Sequence, residues 1–265
     1  MFGKIIDEIQ PSQLLQAFRQ PGTYDFSHLI ATLWPLLPHH YSYSVEFASW
    51  SIAKALWRKC IRFRIDDTED LYRLFRARDI LSPSATWIFK FRMHELLRSG
   101  QSVELFPILR SSNKGVANLI CDTYASSRGR RDRVNLALPV SSEYLLTEEV
   151  QLEEGCYYHS ESSNFAVDSL LLIRPPGESP ILLMFQMTAN DNELGLSPEG
   201  LDTIDRMLPG TRKYYVVVTP ETAHPRVNIP AKYSKKTKKQ AALADKAFLV
   251  FQYSVRLEQL FGRDS

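Results

Sequence analysis

The sequence is poor in cysteine, poor in glycine and without an excess of either charge. Its three cysteines, Cys60, Cys121 and Cys156, lie far apart. None falls in a paired metal spacing, so a zinc module and a disulfide framework are both excluded, and reduced thiols are expected. No Gly-rich loop ending in Gly-Lys-Ser or Gly-Lys-Thr occurs, which excludes ATP binding through a P-loop. Cys/His clusters and a Ser/His/Asp motif are also missing, and with them any support for oxidoreductase or serine-hydrolase chemistry. The formal net charge is only +2, so attraction to nucleic acid has to come from a local patch. No apolar run approaches the roughly 18 residues of a membrane span. The first eight residues lack the apolar stretch of a signal peptide. The expectation is an intracellular protein, nuclear or cytoplasmic, with no membrane partner.

What the chain does have is a 44% apolar share over 265 residues. That is enough for one large domain, or one domain with an appendage. The stretch from Asn164 to Thr188 organises it. Two apolar runs, Leu170–Ile173 and Ile181–Phe185, flank the cluster Pro-Pro-Gly-Glu-Ser-Pro. This is a strand, a turn and a strand. The runs are continuous in apolar residues rather than alternating, which points to strands covered on both faces. If they pair antiparallel, Asp168 at the start of one lies near Gln186 and Thr188 at the end of the other.

Residues 1–83 read as a helical region, with candidate helices over 12–20, 26–36, 43–62 and 66–80. The last of these opens with acids, as a helix N-terminus favours. Ser84 is placed to cap a helix over 85–98 that ends at Gly100. Strands are expected over 103–109 and 134–140, with a polar loop over 111–131. Residues 141–154 are polar and acidic and fit no element well. Ser197-Pro198 starts a helix that Pro209-Gly210 stops, and 213–219 is the strongest strand signal in the chain. A strand, a helix of this length and a strand form a crossover, so 213–219 should run parallel to an earlier strand. The segment 247–253 is a final strand or the start of a buried helix.

From residue 84 onward the order is helix, strand, strand, strand, helix, strand. In sequence come Trp87-Ile-Phe-Lys-Phe-Arg-Met-His-Glu-Leu-Leu, Tyr157-Tyr158, Asn164-Phe-Ala-Val-Asp168-Ser, Phe185-Gln-Met-Thr188, Gly200-Leu201 and Tyr214 to Pro220. Together these resemble the C-terminal restriction-endonuclease-like domain of Crinkler and retrotransposon-hot-spot-type proteins, a branch of the PD-(D/E)xK superfamily. The resemblance covers about two-thirds of the chain. It implies an α/β (α+β) fold over 84–265: a mixed sheet flanked by helices in the order α-β-β-β-α-β, preceded by a helical extension over 1–83. It implies Mg²⁺-dependent phosphodiester hydrolysis, with DNA ahead of RNA, and an NTPase partner that longer relatives carry in the same chain. No leader of the exported effectors is read in the first residues, so an intracellular place is expected ahead of secretion as an effector, which stays the alternative.

In such nucleases an Asp and a second acid hold the metal by oxygen, and a Lys steadies the developing charge. Asp168 matches the Asp. Gln186 stands at the second acid and Thr188 at the Lys. The helix before the strands usually offers a Phe-Glu pair, and here the pair is Phe89-Lys90. The implied site is therefore Asp168, Gln186, Thr188 and Lys90, with Asp168 and Gln186 on the metal. Each has a plainer reading. Asp168 would otherwise be a strand-end Asp bonding to a turn, Lys90 a solvated helix residue, and His94 an ordinary half-buried histidine. Lys232, Lys235, Lys236, Lys238 and Lys239 fit a phosphate-tracking patch, a nuclear-import signal or a solvated charged loop. The two open functions are a nuclease with a degenerate site and an inactive nucleic-acid- or protein-binding module derived from it.

Overall fold

The computed structural model describes residues 31–35, 43–47, 65–77, 82–107, 118–120, 133–160, 167–189, 194–195, 197–221, 226–228 and 249–261, with single positions at 13, 49, 52, 53, 55, 165 and 223. The chain divides into two compact units, Met1–Met93 with Leu257–Ser265, and His94–Arg256. The sequence division at 83/84 falls at the start of a helix, and the division by compactness falls inside that same helix.

In the first unit, β1 (Ala31–Pro35) pairs antiparallel with β2 (Tyr43–Phe47). These replace the helices expected over 26–36 and at the start of 43–62. Tyr43, Val45 and Phe47 recur every second residue, and that strand period overlaps the helical spacing of Val45, Ala48, Ile52 and Leu56. Helix α1 (Ile65–Arg76) lies where the acids of 66–70 favoured it. Its Glu69 is buried and pairs with Arg73, at 2.7 Å, one turn on. The Tyr72 ring lies 5.6 Å from that of Phe261, on the short α4 (Leu257–Phe261). Helix α2 (Ser82–Arg98) starts two residues before Ser84, because Pro83 is tolerated in a first turn.

The second unit is built on an eight-stranded mixed sheet, so the protein is α+β. The strands are β3 (Ser102–Pro107), β5 (Val134–Ala137), β6 (Glu143–Leu145), β7 (Tyr157–His159), β8 (Ser169–Ile173), β9 (Ile181–Met187), β11 (Arg212–Pro220) and β13 (Leu249–Val255). Across the sheet they run β5-β3-β13-β11-β9-β8-β7-β6. A separate three-stranded sheet joins β10 (Leu194–Gly195), β12 (Arg226–Asn228) and β4 (Asn118–Ile120). The region 141–154, unplaced by its sequence, thus carries β6, and the stretch read as loop over 111–131 carries β4. Of the segment over 247–253, the described part from Leu249 onward is a strand, β13. Among the described residues, no helix is long and apolar enough to cross a membrane.

The β8–β9 hairpin is the expected one. Pro175, Pro176 and Gly177 make its turn, with Glu178 N donating to Pro175 O at 3.1 Å and Gly177 at φ 76°. Proline second and a left-handed glycine third is the type II arrangement. Helix α3 (Pro198–Met207) then carries the chain from β9 to β11. Ser197 caps it, its Oγ accepting from Gly200 N at 3.1 Å, and Leu201 and Ile204 are its buried face. At its far end Lys213 binds both Asp205 (2.7 Å) and Leu208 O (3.1 Å), tying helix to strand. β11 lies parallel to β9, as the crossover required, and parallel to β13 on its other side.

Every residue of β8 is buried, as is every residue of β9 except Gln186. One face of the sheet carries Leu170, Leu182, Met184, Tyr215 and Val217, packed with Leu201 and Ile204 of α3. The register places His159, Ser169, Phe185 and Val216 in one row on the opposite face.

Candidate functional site

Asp168 sits one residue before β8. Its N–H donates to Phe185 O at 2.8 Å, and its own O accepts from Ser160 N at 2.8 Å. The side chain turns to the neighbouring strand, where Oδ2 accepts from Met187 N at 2.6 Å. The carboxylate therefore takes a ladder position that a main-chain carbonyl would fill. Met187 lies between Gln186 and Thr188, so the structure brings Asp168 against the end of β9 where both sit. Asp168 and Gln186 are half-buried. Thr188 is buried, and its N–H donates to Val218 O at 3.0 Å. Beyond them stands Tyr215, fully buried. Burial holds its phenol well above the ordinary 10.0, and the Asp168 charge pushes the same way.

Lys90 is half-buried on α2 and belongs to the first unit, whereas Asp168, Gln186 and Thr188 belong to the second. Lys232, Lys235, Lys236, Lys238 and Lys239 lie outside the described residues.

The donor set fits Mg²⁺ poorly. This ion demands octahedral oxygen and is usually held by one or two carboxylates and substrate phosphates. Here Asp168 is the one carboxylate, and one of its oxygens already serves a main-chain amide. Gln186 adds an oxygen without charge. Among the described residues no group of three or more His, Cys, Asp or Glu side chains is arranged to hold a metal ion.

Beside Asp168, on the opposite face of the sheet, runs a buried polar network. Tyr157 Oη donates to Ser169 Oγ at 2.7 Å and lies 2.7 Å from His94 Nδ1. A phenol has one proton, so with that proton on Ser169 the imidazole donates through Nδ1–H. The His94 ring meets those of Tyr157 and His159 edge-on, at 5.7 and 6.0 Å. His159 Nδ1 stands 3.0 Å from Glu143 Oε1, and Glu143 also binds Arg98. Tyr157 and Ser169 are fully buried, and both histidines nearly so. Burial pushes the Tyr157 phenol far above its ordinary value, the Asp168 and Glu143 charges add to this, and the Ser169 bond and Arg98 oppose it. The network joins α2, β6, β7 and β8. Its inner members, Tyr157, Ser169, His94 and His159, are too deeply covered to meet a substrate, so their chemistry is positional: they fix Ser169, and hence the strand that follows Asp168.

Sequence reasoning singled out His94 but missed Tyr157, Ser169, His159 and Glu143. The available signal was Tyr157-Tyr158-His159, where alternation puts a phenol and an imidazole on one face. The partner of Tyr157 on α2, His94, lies 63 positions away, a pairing no local pattern reveals.

No protein-family model, curated protein or solved structure matches the chain.

Proposed function

We propose that the sheet unit is a nuclease-derived module of the restriction-endonuclease-like, PD-(D/E)xK type that holds nucleic acid, DNA ahead of RNA, without cutting it. One observation carries the inactive half of this reading: an oxygen of the Asp168 carboxylate serves the Met187 amide, opposite a Gln-x-Thr pair. A structural acceptor of this kind orders the hairpin, and a single carboxylate beside an amide and a hydroxyl is a weak donor set for a cation. The Lys232–Lys239 run in the sequence supports the binding half, because closely spaced lysines neutralise successive phosphates. Nuclear import through the same lysines, and an NTPase chain docking on residues 1–83, are further proposals that rest on the sequence and the resemblance.

A second reading, weak Mg²⁺-dependent hydrolysis, draws on the half-exposed position of Asp168 beside Gln186 and Thr188. In it Asp168 and Gln186 would hold the ion, Mg²⁺ would supply charge on the phosphate, and Lys90 or Thr188 would assist.

Fluorescence anisotropy with a labelled DNA duplex tests the binding half. Affinity should fall linearly with the logarithm of salt concentration. Replacing Lys235, Lys236, Lys238 and Lys239 with alanine should lower the slope by about 3 to 4. Salt-independent binding, or an unchanged slope, contradicts the proposal.

A further inference from the structure

The sheet ends at β6, and among the described residues its outer edge is unpaired and carries exposed apolar side chains. Leu146 N donates to His159 O at 2.8 Å, and Tyr157 N donates to Ser142 O at 3.1 Å. Residues 142 and 146 thus turn their main-chain groups toward β7. Alternation turns those of Glu143 and Leu145 outward. No other described strand pairs with that side.

Three side chains mark the same place. Among the described residues the exposed large apolar ones are Val140 (82%), Tyr144 (47%) and Leu145 (48%), all within six positions. An exposed strand edge with apolar side chains is one that proteins normally cover or blunt. Tyr144 stacks at 5.6 Å on Tyr158, which fixes its ring on one face, while Leu145 points to the other.

The stretch that carries this edge is rich in acids, two of which are already paired, Glu143 with Arg98 and Glu154 with Arg174. Between Arg133 and Arg174 the sequence has no lysine or arginine, yet it holds Glu143, Glu148, Glu149, Glu153, Glu154 and Glu161. Glu148, Glu149, Glu153 and Glu154 are exposed. A second copy of the chain would bring one acidic stretch against another. Nucleic acid would meet like charge.

We propose that the outer edge of β6 is a docking strand for an extended, basic protein segment. Such a segment would pair with the main-chain groups of Glu143 and Leu145, cover Tyr144 and Leu145 with alternate apolar residues, and set its cations against the exposed Glu148, Glu149 and Glu153. The inference does not depend on the nuclease-derived reading.

The test uses the full chain and a synthetic fluorescent peptide of alternating lysine and valine. Saturable binding at low salt is expected. Three changes should each weaken it by about tenfold or more: N-methylation of alternate peptide residues, Leu145→Pro, which removes an outward N–H, and the double change Glu148→Lys with Glu149→Lys. A peptide with glutamate for lysine should not bind. Circular dichroism checks each variant, and if Leu145→Pro does not fold, the N-methylated peptide and the charge reversal decide. No binding by the lysine peptide overturns the proposal, as does equal binding by its N-methylated form. A dimer of the chain that dissociates in the charge-preserving variant Leu145→Asn overturns it in favour of self-pairing.

Discussion

Tyr157 shows how one buried side chain links three elements. Its hydroxyl joins Ser169 on β8 to His94 on α2, and its ring lies 6.5 Å from Phe185 on β9. Removing that oxygen leaves two buried polar partners short of a bond. Tyr157→Phe should therefore lower stability by about 1–3 kcal/mol, measured by urea unfolding. A change under about 0.5 kcal/mol would mean the network carries no stability. Tyr157 and Tyr215 also predict alkaline sensitivity. Their folded phenols lie above the ordinary 10.0, so the neutral form is favoured in the fold. Their contribution is complete below about pH 10 and is lost as pH rises toward the folded values. The melting temperature should fall steeply above about pH 10, and less steeply in Tyr215→Phe; parallel curves would contradict this.

The elements most legible in the sequence were those with a strong local rule. The β8–β9 hairpin had two apolar runs and a Pro-Gly turn, and the β9-α3-β11 crossover had a serine cap and a β-branched strand. The coarse α+β class followed from them. The illegible elements are short and depend on distant partners. β6 and β7 have three residues each and pair in parallel across the 146–156 connection, which no local pattern encodes. The candidate site was partly legible: alternation placed Asp168 at the end of β9, but its bond to the Met187 amide is a detail of side-chain direction. Between α2 and β3 the connection depends on Gly100, held at φ 82°. A β-carbon there would stand 2.6 Å from Val140 Cγ2, across the Ser99–Val140 bridge. Gly100→Ala should cost about 1–2 kcal/mol from backbone strain, and more if Val140 cannot turn away. Thermal unfolding of Gly100→Ala against Gly100→Asn checks it, with asparagine the milder change. Equal stability of all three chains would show that the turn carries no strain.

At the scale of the molecule, a net charge of only +2 hides an uneven distribution of charge along the chain. Basic residues gather at 232–246, and acids gather between Arg133 and Arg174. The proposed nucleic-acid contact and the proposed peptide edge therefore draw on opposite charges in separate stretches of chain. Asp168 lies within the acidic stretch, and the proposed function turns on whether its carboxylate serves the main chain or a metal. Comparing Asp168→Asn with Asp168→Ala is the most direct test, with stability and Mg²⁺-dependent DNA cleavage measured side by side. If the carboxylate serves the Met187 amide, asparagine retains an acceptor and near-native stability, alanine loses about 1–3 kcal/mol, and no chain, including the unmodified one, cleaves DNA. Cleavage by the unmodified chain that both substitutions abolish, with stability unchanged, would contradict the account and make Asp168 a metal ligand.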